Sequence, residues 1–376
     1  MSEAALHMWL ATPLETPVKQ VLERLRRADD VVHIAVMPDV HLAAEVCVGT
    51  AMATRRLVYP SAVGGDIGCG MLAVKCDAPA DLLADPARAG AILRAIGQRV
   101  PGRRRHRSAT LPWPAACEPA DLSHPSLAAT ARDDGTLQFG TLGAGNHFIE
   151  LQADEDDCLW LMIHSGSRAM GQAIRDHHVA RAAIRSAGLP VLDAVADTGQ
   201  SYLNDQYWAR RYAAANRHAM AEQVAAALHA VASIELRPES KIAVDHNHVQ
   251  SEEHFGEQLF VHRKGAMPAD DGGPGVVPGS MGTFSVHVMG RGEATSLRSS
   301  AHGAGRQLSR HAARERFGRA DLRTQMGGVW FDPRQASALC EEAPRAYKDL
   351  RSVLRAQADL VRITRRLRPL LVYKAR

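Results

Sequence analysis

The chain has 376 residues, 46% of them hydrophobic and 23% charged, with a formal net charge of +4. This is the profile of an ordinary globular protein of one large or two ordinary domains, and it excludes a disordered one. No apolar run approaches the roughly 20 residues of a membrane span, and no basic-then-apolar leader opens the chain, so no membrane and a cytoplasmic location are expected.

Apolar spacing at Val18, Val21, Leu22 and Leu25 predicts a helix over 17–28, and residues 31–37 read as a buried strand stopped by Pro38. Residues 49–60 and 71–75 read as strands flanking a glycine-rich turn, and 81–99 as a helix. Residues 101–136 hold five prolines and no sustained periodicity, which predicts a long surface excursion. Strand-like segments follow at 137–149 and 159–163, then helices at 169–187 and 201–233. Beyond Ile242 the pattern is short strands and glycine-rich turns, with helices near 296–316 and 347–358 and an apolar end at 369–373. No internal repeat or linker separates the polar motifs, which predicts one intertwined domain if they converge.

The most telling motif is residues 65–70, Gly-Asp-Ile-Gly-Cys-Gly. A hard carboxylate and a soft thiol stand three residues apart among glycines that permit unusual backbone angles. That suits a transition metal such as Mn, Fe, Co or Zn. Six cysteines with no C-x-x-C pair argue against a closed zinc site or a disulfide scaffold. His147, His164 and His246 each stand at the end of a predicted strand beside small or amide residues, where a core histidine would have apolar neighbours. Either one metal or two bridged by sulfur fits these donors.

Three further loops carry chemistry. Residues 140–150 join a glycine turn to His147 and Glu150, without the Lys-Ser/Thr of a Walker loop. Residues 278–285 are rich in hydroxyls and glycine, as in a simple turn or a phosphate-binding one. Ser300-Ala-His302-Gly-Ala-Gly-Arg306 places an imidazole before glycines and a guanidinium, an arrangement suited to a histidine nucleophile at phosphorus. No Lys-x-Asp-Gly is present for a lysine-based nucleotidyl transfer. The basic runs Arg103–Arg107 and Arg362–Arg368 suit solvated surface or phosphate contact equally.

Together with Met37-Pro-Asp-Val-His41, His164-Ser-Gly-Ser-Arg168, Arg263-Lys-Gly265 and Ala346-Tyr-Lys-Asp349, these motifs resemble the RtcB-type RNA ligases, in that family's order and across nearly the whole chain. The resemblance implies an α+β fold over residues 1–376, with mixed sheets around a deep metal- and nucleotide-binding cleft. It implies GTP- and Mn²⁺-dependent joining of RNA 2′,3′-cyclic phosphate or 3′-phosphate ends to 5′-hydroxyl ends. The RNAs served would be tRNA or cleaved rRNA fragments, with an accessory repair protein as a further partner and a monomeric chain.

By similarity, Cys69 bridges two manganese ions, one completed by His147 and His164 and the other by Asp66 and His246. His302 takes GMP from GTP. Asn146, Phe148, Glu150, Ser280, Ser285, Tyr347 and Lys374 hold the guanylate, with Gly303, Ala304 and Gly305 around it. Arg168, Arg263, Lys264 and Arg306 match phosphate or RNA contacts. The sequence departs from the family pattern at Asp245, where a histidine is more usual, and in the ending around Lys374. A binuclear phosphodiesterase and a non-enzymatic RNA-binding protein are the alternatives, and both leave His302 idle.

Overall fold

The computed structural model describes residues 3–375. Two large sheets carry the fold. One has five strands in the order Ala5–Met8, Val31–His41, Val48–Thr54, Glu257–Lys264 and Asn247–His254. The other has seven, in the order Leu236–Asp245, Gly70–Pro79, Cys158–Ser165, Phe148–Ala153, Val361–Tyr373, Ser285–Gly290 and Pro274–Val277. A two-stranded and a three-stranded sheet complete the set, giving a mixed α/β architecture.

The period of two along each strand decides which core it feeds. In Val31–His41, Ile34 and Val36 pack with Val18, Leu22 and Leu25 of the helix Thr16–Arg26. Their neighbours Ala35 and Met37 face the opposite way, toward Val286, Val288, Leu350 and Val353. Each fully buried leucine or isoleucine contributes about 2 kcal/mol of transfer free energy. In the seven-stranded sheet, Leu72, Val74, Ile149, Leu151, Leu161 and Ile163 form a core with helix Pro86–Arg99 and with Met220, Val224 and Leu228 of the 36-residue helix Asp197–Ala232. No helix among the described residues is long and apolar enough to cross a membrane.

Several elements differ from the sequence expectation, each for a local reason. The strand from Val31 runs through Pro38 to His41, because its ladder with Val48–Thr54 is irregular between Val36 and His41, where a missing amide costs no bond. Residues 139–147 form no strand, since Gly140, Gly143 and Gly145 all hold positive φ. The helix expected near 296–316 is the short strand Ser299–Ala301, a loop, and the helix Arg310–Arg316. The helix expected over 169–187 ends at Arg181, and 184–186 pair as a strand.

The 101–136 stretch is not a free excursion. Trp113 stacks among Phe139, Trp208 and Tyr212, Cys117 is fully buried, and Asp205 accepts bonds from the Ser123 amide and hydroxyl. Arg105 is spent on the carbonyls of Arg99, Phe139 and Gly140, and Arg104 pairs with Asp134. Within the Arg103–Arg107 run, Arg105 is therefore committed to the backbone around it and Arg104 to a surface ion pair.

Candidate active site

Strand ends gather the donors. Gly70 pairs with both Asp245 and Ser165, Met71 pairs with His164, and His164 pairs with Phe148 on its other side. Cys69, His246 and His147 are each one residue beyond these paired positions, so regular ladders deliver them to one place. The His246 amide donates to the Cys69 carbonyl at 2.8 Å, and the Asn247 side chain donates to the Asp66 carbonyl at 3.0 Å.

Cys69 Sγ lies 3.2 Å from His164 Nε2 and 3.5 Å from His147 Nε2. Among the described residues, these three form a group whose ligand atoms all lie within 4.8 Å of one another. Asp66 Oδ2 reaches the group through His147 Nε2 at 3.0 Å. The rings of His164 and His246 are 5.3 Å apart. Both outer nitrogens have backbone anchors: His147 Nδ1 donates to the Leu142 carbonyl at 2.9 Å and His164 Nδ1 to Asn146 at 3.2 Å. That fixes the tautomer and turns both Nε2 lone pairs toward the sulfur. Gly166 is required here, since a β-carbon would lie 2.1 Å from Asp66 Oδ1.

The electrostatics of the cluster favour a cation. Burial first, then the Asp66 charge, push the Cys69 thiol well above its usual range, while Arg217 pulls it down. Burial and the neighbouring His147 hold His164 well below the usual range, so its imidazole is neutral. Burial raises Asp66, but His147 and Cys69 outweigh it and bring the carboxyl to about 2. A carboxylate, neutral imidazoles and a buried sulfur form a donor set that fits a transition metal.

His302 stands directly beside this cluster. It follows strand Ser299–Ala301, whose partner strand Ala266–Pro268 is tied to the His246 carbonyl through the Ala266 amide. Its ring is 4.5 Å from that of His246, and its Nδ1 lies 2.7 Å from Oδ2 of the fully buried Asp39. A carboxylate facing Nδ1 favours a proton on that nitrogen, which leaves the Nε2 lone pair available.

A second side is built around Glu342, which is 2% exposed. It accepts from Arg306 at 3.0 Å, from Arg310 at 3.1 Å and from the Tyr347 hydroxyl, and lies 3.7 Å from Lys374 Nζ. Burial would raise its carboxyl, but Lys374 and Arg306 lead the groups that hold it below the usual range. Glu150 is equally buried without such pairing: burial pushes it up to about 8 against the pull of Gln152 and Lys374. Lys374 Nζ lies 6.0 Å from the centre of the Phe148 ring.

Most of these groups line one cavity of about 900 Å³, in the size range of cofactor sites. A family model described as tRNA-splicing ligase RtcB matches residues 22–118 and 115–375. The chain belongs to the RtcB family. It is 35% identical to RNA-splicing ligase RtcB of Escherichia coli K12, over 99% of this chain and 97% of that protein. RNA-splicing ligase RtcB2 of another E. coli strain is 29% identical over 96% of this chain and 93% of its own length. The tRNA-splicing ligase RtcB of Pyrococcus furiosus is 30% identical over 66% of this chain and 31% of its own length.

The residues expected from the RtcB resemblance fall into three groups. Asp66, Cys69, His164, His246 and His302 line the cavity, while His147 stands outside the lining, anchored to Cys69 and Asp66. Asn146, Phe148, Glu150, Ser280, Tyr347 and Lys374 also line it, as does the Gly303–Gly305 backbone. Ser285 is buried behind them.

The third group is the four residues expected at phosphate or RNA. Arg263 is 1% exposed and bonded to Glu252, Ser299 and the Leu297 carbonyl, so it is placed to brace the fold rather than to meet RNA. Lys264, one residue on, faces the cavity and donates to the Ser61 carbonyl. Arg306 reaches the lining but is committed to Glu342 and to the carbonyls of Glu341 and Leu308. Arg168 is mostly enclosed, with Nε 3.3 Å from Thr141 Oγ1 and a charge near Asp66. Asp245 faces Arg210 at 2.7 Å and His248 at 3.0 Å, which neutralises it beside His246. Sequence reasoning missed Glu342, Arg310 and Arg217, and assigned no role to Asp39.

Proposed function

We propose that this chain is a GTP- and Mn²⁺-dependent RNA ligase that joins 2′,3′-cyclic phosphate or 3′-phosphate ends to 5′-hydroxyl ends through a His302–GMP intermediate. The observation that carries the reading is His302 itself, held by Asp39 and flanked by the Cys69 cluster in the cavity that also contains Glu150, Tyr347 and Lys374. The relatives' names, RNA-splicing and tRNA-splicing ligase, support the same class of reaction.

Cys69, His147, His164, Asp66 and His246 would hold manganese. Bound there, manganese supplies positive charge that polarises phosphoryl oxygens and neutralises the transition state. His302 Nε2 attacks the α-phosphorus of GTP, a P–N bond forms, and the bond to the β-phosphate oxygen breaks to release pyrophosphate. Asp39, facing Nδ1, keeps the proton on that nitrogen through the attack, so Nε2 is the nitrogen that bonds and the positive charge developing on the ring is stabilised. The RNA 3′-phosphate, opened by water where it begins cyclic, then displaces His302 and takes the GMP. The 5′-hydroxyl attacks that activated phosphate, loses its proton and expels GMP as the phosphodiester forms.

Glu150 is the carboxyl best placed to receive the adjacent N1–H and amino donors of guanine, because no arginine occupies its oxygens. Lys374 and Tyr347, fixed by Glu342, form the neighbouring surface of the base site. The lining runs from Thr12 to Lys374, which supports reading residues 1–376 as one RtcB-like domain. A binuclear phosphodiesterase would use the metal donors and leave the Asp39–His302 pair without work.

The test is ligation of nicked tRNA and rRNA fragments with defined ends. Joined product that requires both GTP and Mn²⁺ is expected. Opened cyclic ends without joining, and without a need for GTP, would support the phosphodiesterase instead.

A further inference from the structure

Behind Glu150 lies a buried amide that the chemistry above does not use. Gln152 is fully buried and shares a face of strand Phe148–Ala153 with Glu150, two residues away. Its Nε2 donates to Glu150 Oε2 at 2.7 Å and to Ser285 Oγ at 3.2 Å. Ser285 Oγ accepts in turn from the Gly279 amide at 3.4 Å, and Gly279 adjoins Ser280 in the cavity lining. Strand Val361–Tyr373 pairs with both Phe148–Ala153 and Ser285–Gly290, so the amide spans three neighbouring strands. Two acceptors face this nitrogen, which fixes the orientation of the amide. Glu342 is held by arginines and a tyrosine, whereas the donor on Glu150 is Gln152.

We propose that Gln152 is a specificity-determining positioning residue, which pins Glu150 Oε2 against the Ser285 hydroxyl and so fixes the carboxyl edge that receives the paired N–H donors of a guanine base. The proposal rests on the reading of the cavity as a guanylate site. A carboxylate has about four lone-pair sites. One amide donor on Oε2 therefore leaves room for two base donors while stopping rotation of the carboxyl plane. Guanine offers N1–H and an amino group side by side, hypoxanthine offers N1–H alone, and adenine presents an acceptor at N1. A site that hydrogen-bonds a group rejects the analogue lacking it only when its own acceptor is held in place. Burial also pushes Glu150 up to about 8, so a donor that favours the ionised form adds to the effect.

The experiment compares wild type with Gln152→Met in the full chain, using labelled GTP and ITP below saturation with Mn²⁺ and measuring the protein–nucleotide adduct. Calorimetric binding of GMP and IMP gives a second measurement that does not depend on transfer. Wild type is expected to prefer GTP over ITP, and the substitution to reduce that preference by about tenfold, the worth of one oriented hydrogen bond to a charged group. GTP and ITP falling by the same factor would overturn the proposal, because that is what lost packing alone produces. Wild type that forms adduct with no preference between the two also overturns it and leaves the ligase reading standing. Wild type that forms no adduct with any nucleotide overturns the ligase reading and this inference with it. Should Gln152→Met fail to fold, Ser285→Ala removes the other anchor of the amide. A smaller loss of the same preference supports the proposal there, and an unchanged preference overturns it.

Discussion

The two sides of the cavity pose opposite electrostatic problems. Around Cys69 stand a buried sulfur, the half-buried Asp66 carboxylate and neutral imidazoles, and burial with the Asp66 charge keeps the thiol protonated. Around Glu342 the excess is positive, with Arg306, Arg310 and Lys374 converging on one carboxylate. One side calls for a cation and the other for a ligand rich in acceptors. On the function proposed above, a nucleotide carrying a metal would satisfy both, with His302 in the same cavity beside His246. Either side alone would suit many ligands, and the pairing narrows the choice.

The largest expected effect comes from removing the sulfur. Cys69→Ala should lower bound manganese at both positions and reduce ligation by about a thousandfold or more, beyond the 10–100-fold typical of residues that only support a metal ligand. Asp66→Ala should retain part of the metal, which elemental analysis of the dialysed protein will show. Equal metal loss in the two variants would break the idea of a shared thiolate. Next, Asp39→Asn keeps the shape beside His302 but removes the negative charge, and should slow nucleotidyl transfer by about a hundredfold with metal content unchanged. A loss of metal in that variant would move Asp39 to the other side of the comparison.

The positive side is tested through stability. Glu342→Gln leaves Arg306 and Lys374 enclosed without their counter-charge, and should cost about 3 kcal/mol in denaturant unfolding. An unchanged midpoint would mean that the hub is not under this strain. The smallest effect concerns pH. Glu150 keeps its proton up to about pH 8 in the free protein, while guanine's donors require the carboxylate. Binding therefore releases a proton, and metal-free GMP affinity should rise as pH climbs toward 8 and level off above it. Affinity that falls over that range would contradict the assignment of Glu150.

Much of the negative side was legible in the sequence. Cys69, His147, His164 and His246 stand at strand ends beside glycine, small or amide residues, where apolar alternation stops and donors stand out. The positive side was not. Glu342 lies in a short turn, Cys340–Glu342, inside a stretch with no periodicity, so nothing local marks it as the hub for residues from 306 to 374. Arg263 misled for the opposite reason. Beside Lys264 and Gly265 it looks like a phosphate grip, yet alternation on strand Glu257–Lys264 sends adjacent side chains to opposite faces. The prolines of 101–136 suggested a loose loop, whereas Trp113 and Cys117 pin that stretch to the long helix through contacts distant in sequence.

The central claim is that the two sides meet at His302, and one measurement addresses it directly. Wild-type protein incubated with Mn²⁺ and GTP labelled at the α-phosphate should form an acid-labile protein–GMP adduct that maps to His302 and is absent from His302→Ala. No adduct in the wild type, or an adduct that persists in His302→Ala, would contradict the account.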